Sequence, residues 1–262
     1  MTHKFSICSY SFRRSFDSGA MDYRGYVAFN QNNGFSQLDP WMQHIEPALS
    51  DKSWLADAKR IADDAGLPYG CIAVDGGHVY EKTAAERAER REVAYRWLDV
   101  AEFLGASQMR IDTGGPEELT DEIFEIIVDG YNDLVPRAKA AGVEIVVENH
   151  WGPTKYPENT VRLLEEVDGL GLLFDTNNWA EGTQERAWEM CARYARLTHF
   201  KTFSFDSQGN DPSVDLHRAL LVLRENCYDG VWGIESTPGD GDEEGAAVKT
   251  RDLIRRALGE QV

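Results

Sequence analysis

The stretch Lys139-Ala-Ala-Gly-Val-Glu-Ile-Val-Val-Glu148 decides the fold. Its first part has the composition of a helix end, with Gly142 at the place where a left-handed C-terminal residue is usual. Its second part, Val143–Glu148, is an apolar, β-branched run of the length of a buried strand, and it ends on a carboxylate. A helix that passes through a glycine into a buried strand is typical of a parallel βα sheet.

The same alternation of short apolar runs and longer amphipathic stretches extends over the whole chain. We predict strands near Phe5–Tyr10, Phe35–Leu38, Tyr69–Val74, Gln108–Asp112, Val143–Glu148, Leu170–Asp175, Leu197–Lys201 and Val231–Glu235. We predict helices near Asp22–Asn33, Lys52–Ala65, Ala84–Leu104, Asp121–Ala141, Asn159–Val167, Gln184–Arg196, Ser213–Asn226 and Glu243–Leu258. Thr83 and Glu86 have the spacing of a capping box, and Gly66 and Gly105 are expected to end helices.

These units predict a single α/β domain over residues 1–262, in the form of a closed (β/α)8 TIM barrel. The alternative is an open doubly wound sheet, which usually carries a glycine-rich phosphate loop after its first strand. This chain has Ser9-Tyr-Ser-Phe-Arg-Arg-Ser15 at that place. The barrel is therefore favoured.

Composition and charge narrow the class of protein. The chain has 27 basic and 45 acidic residues, which gives a formal net charge of −18. Without a basic excess, binding to nucleic acid or to an anionic membrane is not expected. No apolar run has the length of a membrane span. The four cysteines form no Cys-x-x-Cys pair, so we expect reduced thiols and a cytoplasmic location.

Four successive predicted strands end on, or contain near their ends, a residue of a type that binds metals. These residues are Glu148, Asp175, His199 and Glu235. Functional residues of a barrel lie at the carboxyl ends of its strands, so the four side chains are expected to converge. Each one alone could instead be structural, as a helix cap or a buried histidine.

Gathered at one barrel mouth, three carboxylates would repel each other unless a cation or protons neutralised them. The mixed oxygen and nitrogen set predicts one divalent cation. We expect Mn2+, with Mg2+, Co2+ and Zn2+ as alternatives.

Polar and aromatic residues beside these strand ends predict a pocket for a small sugar or polyol. The candidate substrate-binding residues are Arg110, Asn149, His150, Trp151, Asn178 and Lys201. Each also has an ordinary structural interpretation. Trp151 could pack at the rim, and Lys201 could be the ion-pair partner of Glu235 or Asp175.

From the Cys8-Ser-Tyr-Ser11 segment to Gly233-Ile-Glu-Ser236, the chain resembles the xylose isomerase-like barrels of the sugar-phosphate isomerase and epimerase group. This group includes ketose 3-epimerases, hydroxypyruvate isomerase and inosose dehydratase, and more distantly the endonuclease IV type of enzyme. The resemblance implies that Glu148, Asp175, His199 and Glu235 are the metal ligands. It also implies that Glu148 and Glu235 transfer protons.

Two positions depart from the ketose 3-epimerase pattern. Asn178 stands where these enzymes have the histidine of an Asp-x-x-His element, and Phe205 stands where they have an arginine. Both departures argue against a free ketohexose as substrate. Endonuclease activity is not expected either, because the chain is strongly acidic and has only six histidines.

Three functions stay open from the sequence. The first is a divalent-metal-dependent isomerase or epimerase of a small keto-sugar or keto-polyol, acting through a metal-stabilised enediolate with Glu148 and Glu235 as acid and base. The second is a metal-dependent lyase that dehydrates a keto-inositol or a 3-keto-glycoside. The third is a non-catalytic sugar-binding or partner subunit. Barrels of this type often pair, and the apolar segment Trp41–Ile45 is a candidate surface for a homo-oligomer.

Overall fold

The computed structural model describes residues 3–260. Its strands are β1 Phe5–Ile7, β2 Cys71–Val74, β3 Gln108–Ile111, β4 Glu144–Glu148, β5 Gly171–Asp175, β6 Ala195–Thr202 and β7 Trp232–Ser236. They form one sheet in the order β1-β7-β6-β5-β4-β3-β2, and all neighbours pair in parallel. The sequence predicts eight parallel strands for the barrel, and seven of them form regular strands in this order.

Helices connect the strands. They are α1 Arg13–Asp17, α2 Tyr23–Asn32, α3 Lys52–Ala65, α4 Ala84–Leu104, α5 Asp121–Ala140, α6 Pro157–Glu166, α7 Gln184–Cys191, α8 Leu216–Glu225 and α9 Glu243–Ala257. The helix predicted to extend to Arg196 ends at Cys191 instead. A 3-10 turn over Ala192–Tyr194 follows it, and β6 begins at Ala195, two residues earlier than predicted.

The strand predicted near Phe35–Leu38 is not a regular strand, and this prediction is corrected. Isolated parallel bridges join Cys8 to Asp39, Leu38 to Tyr69, and Trp41 to Ala73. Through these bridges, residues 38–41 lie between β1 and β2, the two edges of the sheet. A physical reason for the irregularity is Pro40, which has no N–H to offer a neighbouring strand.

Alternation along the strands places the candidate metal ligands inside the barrel. One small buried cluster is separate from the larger core that contains the apolar faces of the helices. The small cluster consists of Cys71, Val146, Leu173 and Leu197. Side chains two residues apart share a face of a strand. Glu148, Asp175 and His199 each lie two residues beyond a member of this cluster, so they point to the barrel interior.

Capping residues fix the helix ends as the sequence predicts. Thr83 and Glu86 form the reciprocal capping box at the start of α4. Gly66 and Gly105 end α3 and α4 with φ of 71° and 74°, a left-handed conformation that costs other residues more than glycine. Within residues 3–260, no helix is both long enough and apolar enough to span a bilayer.

Candidate metal centre and substrate cavity

The four residues predicted to bind a metal lie together on β4 to β7, at or near the carboxyl ends of these strands. Nδ1 of His199 lies 3.2 Å from Oε1 of Glu148 and 3.3 Å from Oε2 of Glu235. Ligand atoms of Glu148, Asp175 and His199 lie within 4.8 Å of one another, and all three residues are buried. The structure therefore brings together the four side chains that the sequence singles out.

Asp175 is held in place by its own loop and by the preceding strand. Its Oδ1 accepts hydrogen bonds from the backbone N–H groups of Asn177 and Asn178, at 2.6 and 2.9 Å. The side chain of Asn149 donates to the carbonyl of Asp175 at 3.0 Å and accepts from its N–H at 2.9 Å. Both polar groups of this buried amide are thus occupied by backbone. The side-chain amide of Asn149, predicted to contact substrate, is bonded in this structure to the backbone of Asp175.

The second oxygen of Asp175 has the environment of a metal ligand. Oδ2 is buried, and within residues 3–260 no group donates a hydrogen bond to it. The ammonium of Lys201 faces it at 3.2 Å. A buried acceptor without a donor costs about 1–3 kcal/mol, and more when it is charged. The ion pair with Lys201 offsets part of that cost, and a divalent cation beside this oxygen would offset more of it.

Glu148 lies among positively charged and hydrogen-bonding groups. Its Oε2 is 3.3 Å from Nε of Arg110 and 3.7 Å from Nδ1 of His150. Its Oε1 accepts a hydrogen bond from the amide of Asn178 at 3.3 Å. Burial opposes ionisation, but His150, His199 and Arg110 outweigh burial and hold the pKa of Glu148 well below its usual range. Glu148 is therefore a carboxylate at neutral pH.

Lys201 connects Asp175, Asn178 and Glu235. Its Nζ lies 2.9 Å from Oε1 of Glu235 and donates to Oδ1 of Asn178 at 3.1 Å. Burial opposes the charge of Glu235, yet Lys201 and His199 outweigh it and lower the pKa of this carboxyl group. The ion pairs predicted for Lys201 with Glu235 and with Asp175 are both present.

His199 bridges the two glutamates as a cation when no metal is bound. Burial opposes its protonation, but Glu148 and Glu235 raise the pKa of His199 well above its usual value. A histidine that binds a metal must be unprotonated at the binding nitrogen. Metal binding at His199 would therefore release this proton.

The residues present fit one divalent cation at Glu148, Asp175, His199 and Glu235. Glu235 belongs to a second possible group, with Cys8 and His199, and a third consists of Asp112, Glu148 and His150. In that group, the guanidinium of Arg110 already lies 2.8 Å from Asp112 and 3.3 Å from Glu148. Lys201 pairs in the same way with Asp175 and Glu235 on the His199 side, so these ion pairs alone do not separate the third group from the residues on that side.

A cavity of about 490 Å³ lies beside this cluster, and we name it the inner cavity. Predicted site residues on its wall are Arg110, His150, Trp151, Asn178, Lys201 and Glu235. Side chains predicted separately, on β3, β6 and β7 and in the loops after β4 and β5, thus face one space. Its volume falls within the range of about 300–1,000 Å³ that is usual for small-molecule sites.

One wall of the inner cavity is not predicted by the sequence patterns. Tyr10, Arg13, Trp41 and Asp75 line it. Nε1 of Trp41 donates to Oδ2 of Asp75 at 2.6 Å, and Oδ1 of Asp75 lies 2.8 Å from Arg110. Asp75 directly follows β2, so the strand-end rule applied to β2 would have found it. Trp41 follows the irregular segment and has no such signal.

The segment Trp41–Ile45, considered as an oligomer surface, is used within the barrel. Trp41 lines the inner cavity, and Ile45 is buried in the core. Trp41, Met42 and His44 are only half-buried, so an oligomer surface at this segment stays a prediction.

A family model described as "Xylose isomerase-like TIM barrel" matches residues 29–257. The chain belongs to this family. The match confirms the resemblance inferred from the sequence and agrees with the parallel sheet and its strand order.

Similar proteins carry out more than one reaction. The IolI protein, solved with a bound zinc atom, has a TM-score of 0.81 at 16% identity, and the match covers 98% of each chain. A D-psicose 3-epimerase from Clostridium cellulolyticum H10, solved with D-tagatose, has a TM-score of 0.78 at 14% identity, covering 98% of this chain and 100% of that one. At such identities, these structures show the fold alone.

An inosose dehydratase from Serratia proteamaculans (strain 568) is 27% identical to this chain over 128 residues. The matched region is 47% of this chain and 41% of that protein. The chain therefore matches less than half the length of this relative, and its reaction is not carried over to the chain by the match.

Proposed function

We propose that the protein is a divalent-metal-dependent isomerase or epimerase of a small keto-sugar or keto-polyol. The observation that carries this proposal is the pair Glu148 and Glu235, both buried and both within 3.3 Å of Nδ1 of His199, beside one cavity. Binding a sugar does not require two carboxylates at one histidine. Removing a proton from carbon and returning it does require an acid and a base. A D-psicose 3-epimerase with this fold supports the reaction class.

The proposed metal site consists of Glu148, Asp175, His199 and Glu235, and we propose Mn2+ as the ion. Structures with the same fold that contain zinc or magnesium support a divalent ion. When bound, the cation would offset the negative charge that develops on the substrate oxygens as a proton leaves the neighbouring carbon.

The two glutamates are suited to proton transfer by their surroundings. Arg110 and His150 help to keep Glu148 ionised, so its carboxylate can accept a proton from a C–H group. Glu148 then holds that proton and can return it, whereas Glu235, a carboxylate paired with Lys201, can act as the acid only after it has itself taken up a proton. Return to the neighbouring carbon gives isomerisation, and return to the opposite face of the same carbon gives epimerisation.

The substrate would be held by donors that already face the inner cavity. Lys201 and Asn178 bond to each other at 3.1 Å and can both bind sugar hydroxyl groups. Arg110 and His150 lie beside Glu148 on the same wall. Trp151, whose side chain is 60% exposed, supplies an apolar surface for a sugar ring.

A metal-dependent lyase that dehydrates a keto-inositol or a 3-keto-glycoside is the second candidate. The sequence match to an inosose dehydratase favours it. The imidazole of His150, on the cavity wall beside Glu148, could donate the proton with which a hydroxyl group leaves as water. The first step, removal of a proton next to the carbonyl, is the same in both candidates.

Deuterium exchange tests the proposal. Metal-free protein is loaded with Mn2+ and incubated in D2O with keto-sugars and keto-inositols, and the ion is then chelated before NMR and mass spectrometry. We expect metal-dependent uptake of deuterium at a carbon next to the carbonyl group. A product lighter by one water would favour the lyase.

A non-catalytic sugar-binding or partner subunit predicts a different result. Such a protein would show no exchange with any of the compounds and no stoichiometric divalent ion in metal analysis of the purified protein. Deuterium exchange with any compound would argue against a non-catalytic function. So would a stoichiometric divalent ion that is lost in the Glu148→Gln variant.

A further inference from the structure

A second cavity, of about 620 Å³, adjoins the inner cavity at the barrel mouth. We name it the outer cavity. Loops after β2, β3 and β4 form its walls, and its side chains include Asp75, His78, Tyr80, Glu81, Lys82 and Trp151. Asp75 and Trp151 line both cavities. The two spaces are therefore neighbours that share a boundary.

The wall of the outer cavity is a defined structure. The N–H of Tyr80 donates to the carbonyl of Thr113 at 2.8 Å, which ties the loop after β2 to the loop after β3. Gly115 has φ of 85°, and a Cβ at this position would lie 3.0 Å from the Tyr80 ring. Nε2 of His78 lies 2.8 Å from Oε1 of Glu81. Tyr80 is thus held against a glycine backbone, with its ring at the cavity.

The lining of the outer cavity suits a ring-shaped group. Tyr80 and Trp151 provide aromatic surface, and the side chain of Trp151 is 60% exposed. Aromatic side chains offer large, rigid apolar faces, and the polar tip of tyrosine can also form hydrogen bonds. Acidic residues outnumber Lys82 in the lining, so the site does not favour an anionic ligand.

The inner cavity alone has the size of a small-molecule site, about 300–1,000 Å³. One sugar ring at Glu148 and Glu235 therefore does not need the outer cavity. We infer that the substrate carries a second ring joined to the reacting sugar, and that this ring occupies the outer cavity against Tyr80 and Trp151. This inference rests on the proposed function and names its substrate class. The second ring is either another sugar or an aryl group.

Equilibrium binding of unreactive ligands tests the inference without turnover. The probes are methyl β-D-glucopyranoside with one ring, cellobiose with two sugar rings, and 4-nitrophenyl β-D-glucopyranoside with an aryl ring. Calorimetry on the full-length protein loaded with Mg2+ is expected to show at least one two-ring probe binding about tenfold or more tightly than the one-ring probe. The tighter of the two distinguishes a sugar from an aryl group.

Tyr80→Ala is the decisive variant, because Tyr80 lines the outer cavity and not the inner one. We expect it to remove most of the preference for the two-ring probe and to leave the one-ring probe unchanged. Tyr194→Ala, at the other end of the barrel before β6, is the matched control and is expected to keep the preference. Thermal unfolding checks that both variants are folded.

If Tyr80→Ala does not fold, Trp151→Ala replaces it, since the exposed Trp151 is not part of the core. Its loss of affinity is expected to be larger for the two-ring probe than for the one-ring probe. Equal affinities in the unchanged protein, no measurable binding of any probe, or a preference that survives both substitutions would overturn the inference. A preference that is present while the exchange screen finds no labile C–H would overturn the proposed reaction instead.

Discussion

The two sides of the barrel mouth are built differently. On the side of β4 to β7, parallel strands, with one register shift between β5 and β6, bring four buried side chains together: Glu148, Asp175, His199 and Glu235. On the side of β1 to β3, residues 38–41 pair through isolated bridges, and loops form much of the cavity wall. We refer to the strand side and the loop side.

The difference teaches where reaction and recognition are located. A strand fixes the direction of each side chain, which suits groups that must lie within a few tenths of an ångström of a metal or a proton. A loop can change its shape without disturbing the sheet, so it suits the choice of substrate. Arg110 joins the two sides, because it contacts Asp75 after β2 and Glu148 on β4.

The largest expected effect tests the strand side. Glu148→Gln and Glu235→Gln each remove a carboxylate that the proposed reaction uses, and we expect a loss of turnover on the order of 10²–10⁴-fold. Glu144→Gln, at the other end of β4, is the matched control and should change activity little. The rate of deuterium uptake by the keto-substrate is the measurement. Full activity in either variant would move proton transfer away from these glutamates.

The strand side could be predicted from the sequence because its signal is local. Glu148 and Asp175 are the last residues of apolar runs, and the alternation within each run fixes the face on which they lie. Most of the fold follows from the same patterns, with helix ends marked by glycines and caps. Because these strands follow one another in the sheet, their end residues are expected to lie close together.

The loop side could not be predicted in the same way. Trp41 reaches the inner cavity because the segment before it is irregular, and Tyr80 reaches the outer cavity because a distant glycine leaves room for its ring. Neither residue belongs to a helix-like or strand-like repeat of apolar residues, so no periodic pattern in the sequence marks it. Asn149 is the reverse case, because the sequence predicts a role in substrate binding for it. It follows Glu148 directly, but its side chain points away from that of Glu148 and bonds to the backbone of β5.

The next effect concerns the link between the two sides. Arg110→Met removes a buried cation that lies 2.8 Å from both Asp75 and Asp112 and 3.3 Å from Glu148. Because unpaired carboxylates stay behind, we expect unfolding to become easier by about 3–5 kcal/mol. Urea unfolding measures this change.

Arg96→Met, at an exposed position on α4, is the control for Arg110→Met and should stay within about 0.5 kcal/mol of the unchanged protein. A loss as small as this in Arg110→Met would mean that the two sides are not coupled through Arg110.

A smaller effect tests how the strand side is positioned. Asn149→Ala removes both hydrogen bonds from the side chain to the backbone of Asp175. Partners that orient a metal ligand typically contribute about 10–100-fold in metal affinity, and we expect a loss of this size in a Mn2+ titration. Asn33→Ala, whose amide bonds to a carbonyl at the end of α2, is the control. Unchanged Mn2+ affinity in Asn149→Ala would reduce Asn149 to a packing residue.

The smallest effect concerns a histidine on the loop side. His44 stacks on Phe16 with ring centroids 3.7 Å apart, and its Nδ1 lies 2.8 Å from Oγ of Ser9. Burial lowers the pKa of His44 from 6.5 to about 4, and Asp17 opposes this shift. Between these two values the unfolded chain binds a proton that the folded chain does not, so folding stability decreases as the pH falls. His199, on the strand side, is shifted in the opposite direction by Glu148 and Glu235.

His44→Asn separates this contribution from all other titrations. The free energy of unfolding of the unchanged protein should fall more between about pH 7 and about pH 5 than that of the variant, by about 1 kcal/mol after allowance for solvent screening. Urea unfolding at the two pH values gives the difference, and His217→Asn at an exposed position should leave it unchanged. Equal pH dependence in His44→Asn and the unchanged protein would mean that His44 is protonated as readily in the folded chain as in the unfolded one. The surroundings of His44 on the loop side would then solvate its charge as well as water does. The opposite pKa shifts of His44 and His199 would no longer distinguish the two sides, which would differ only in their strand and loop structure.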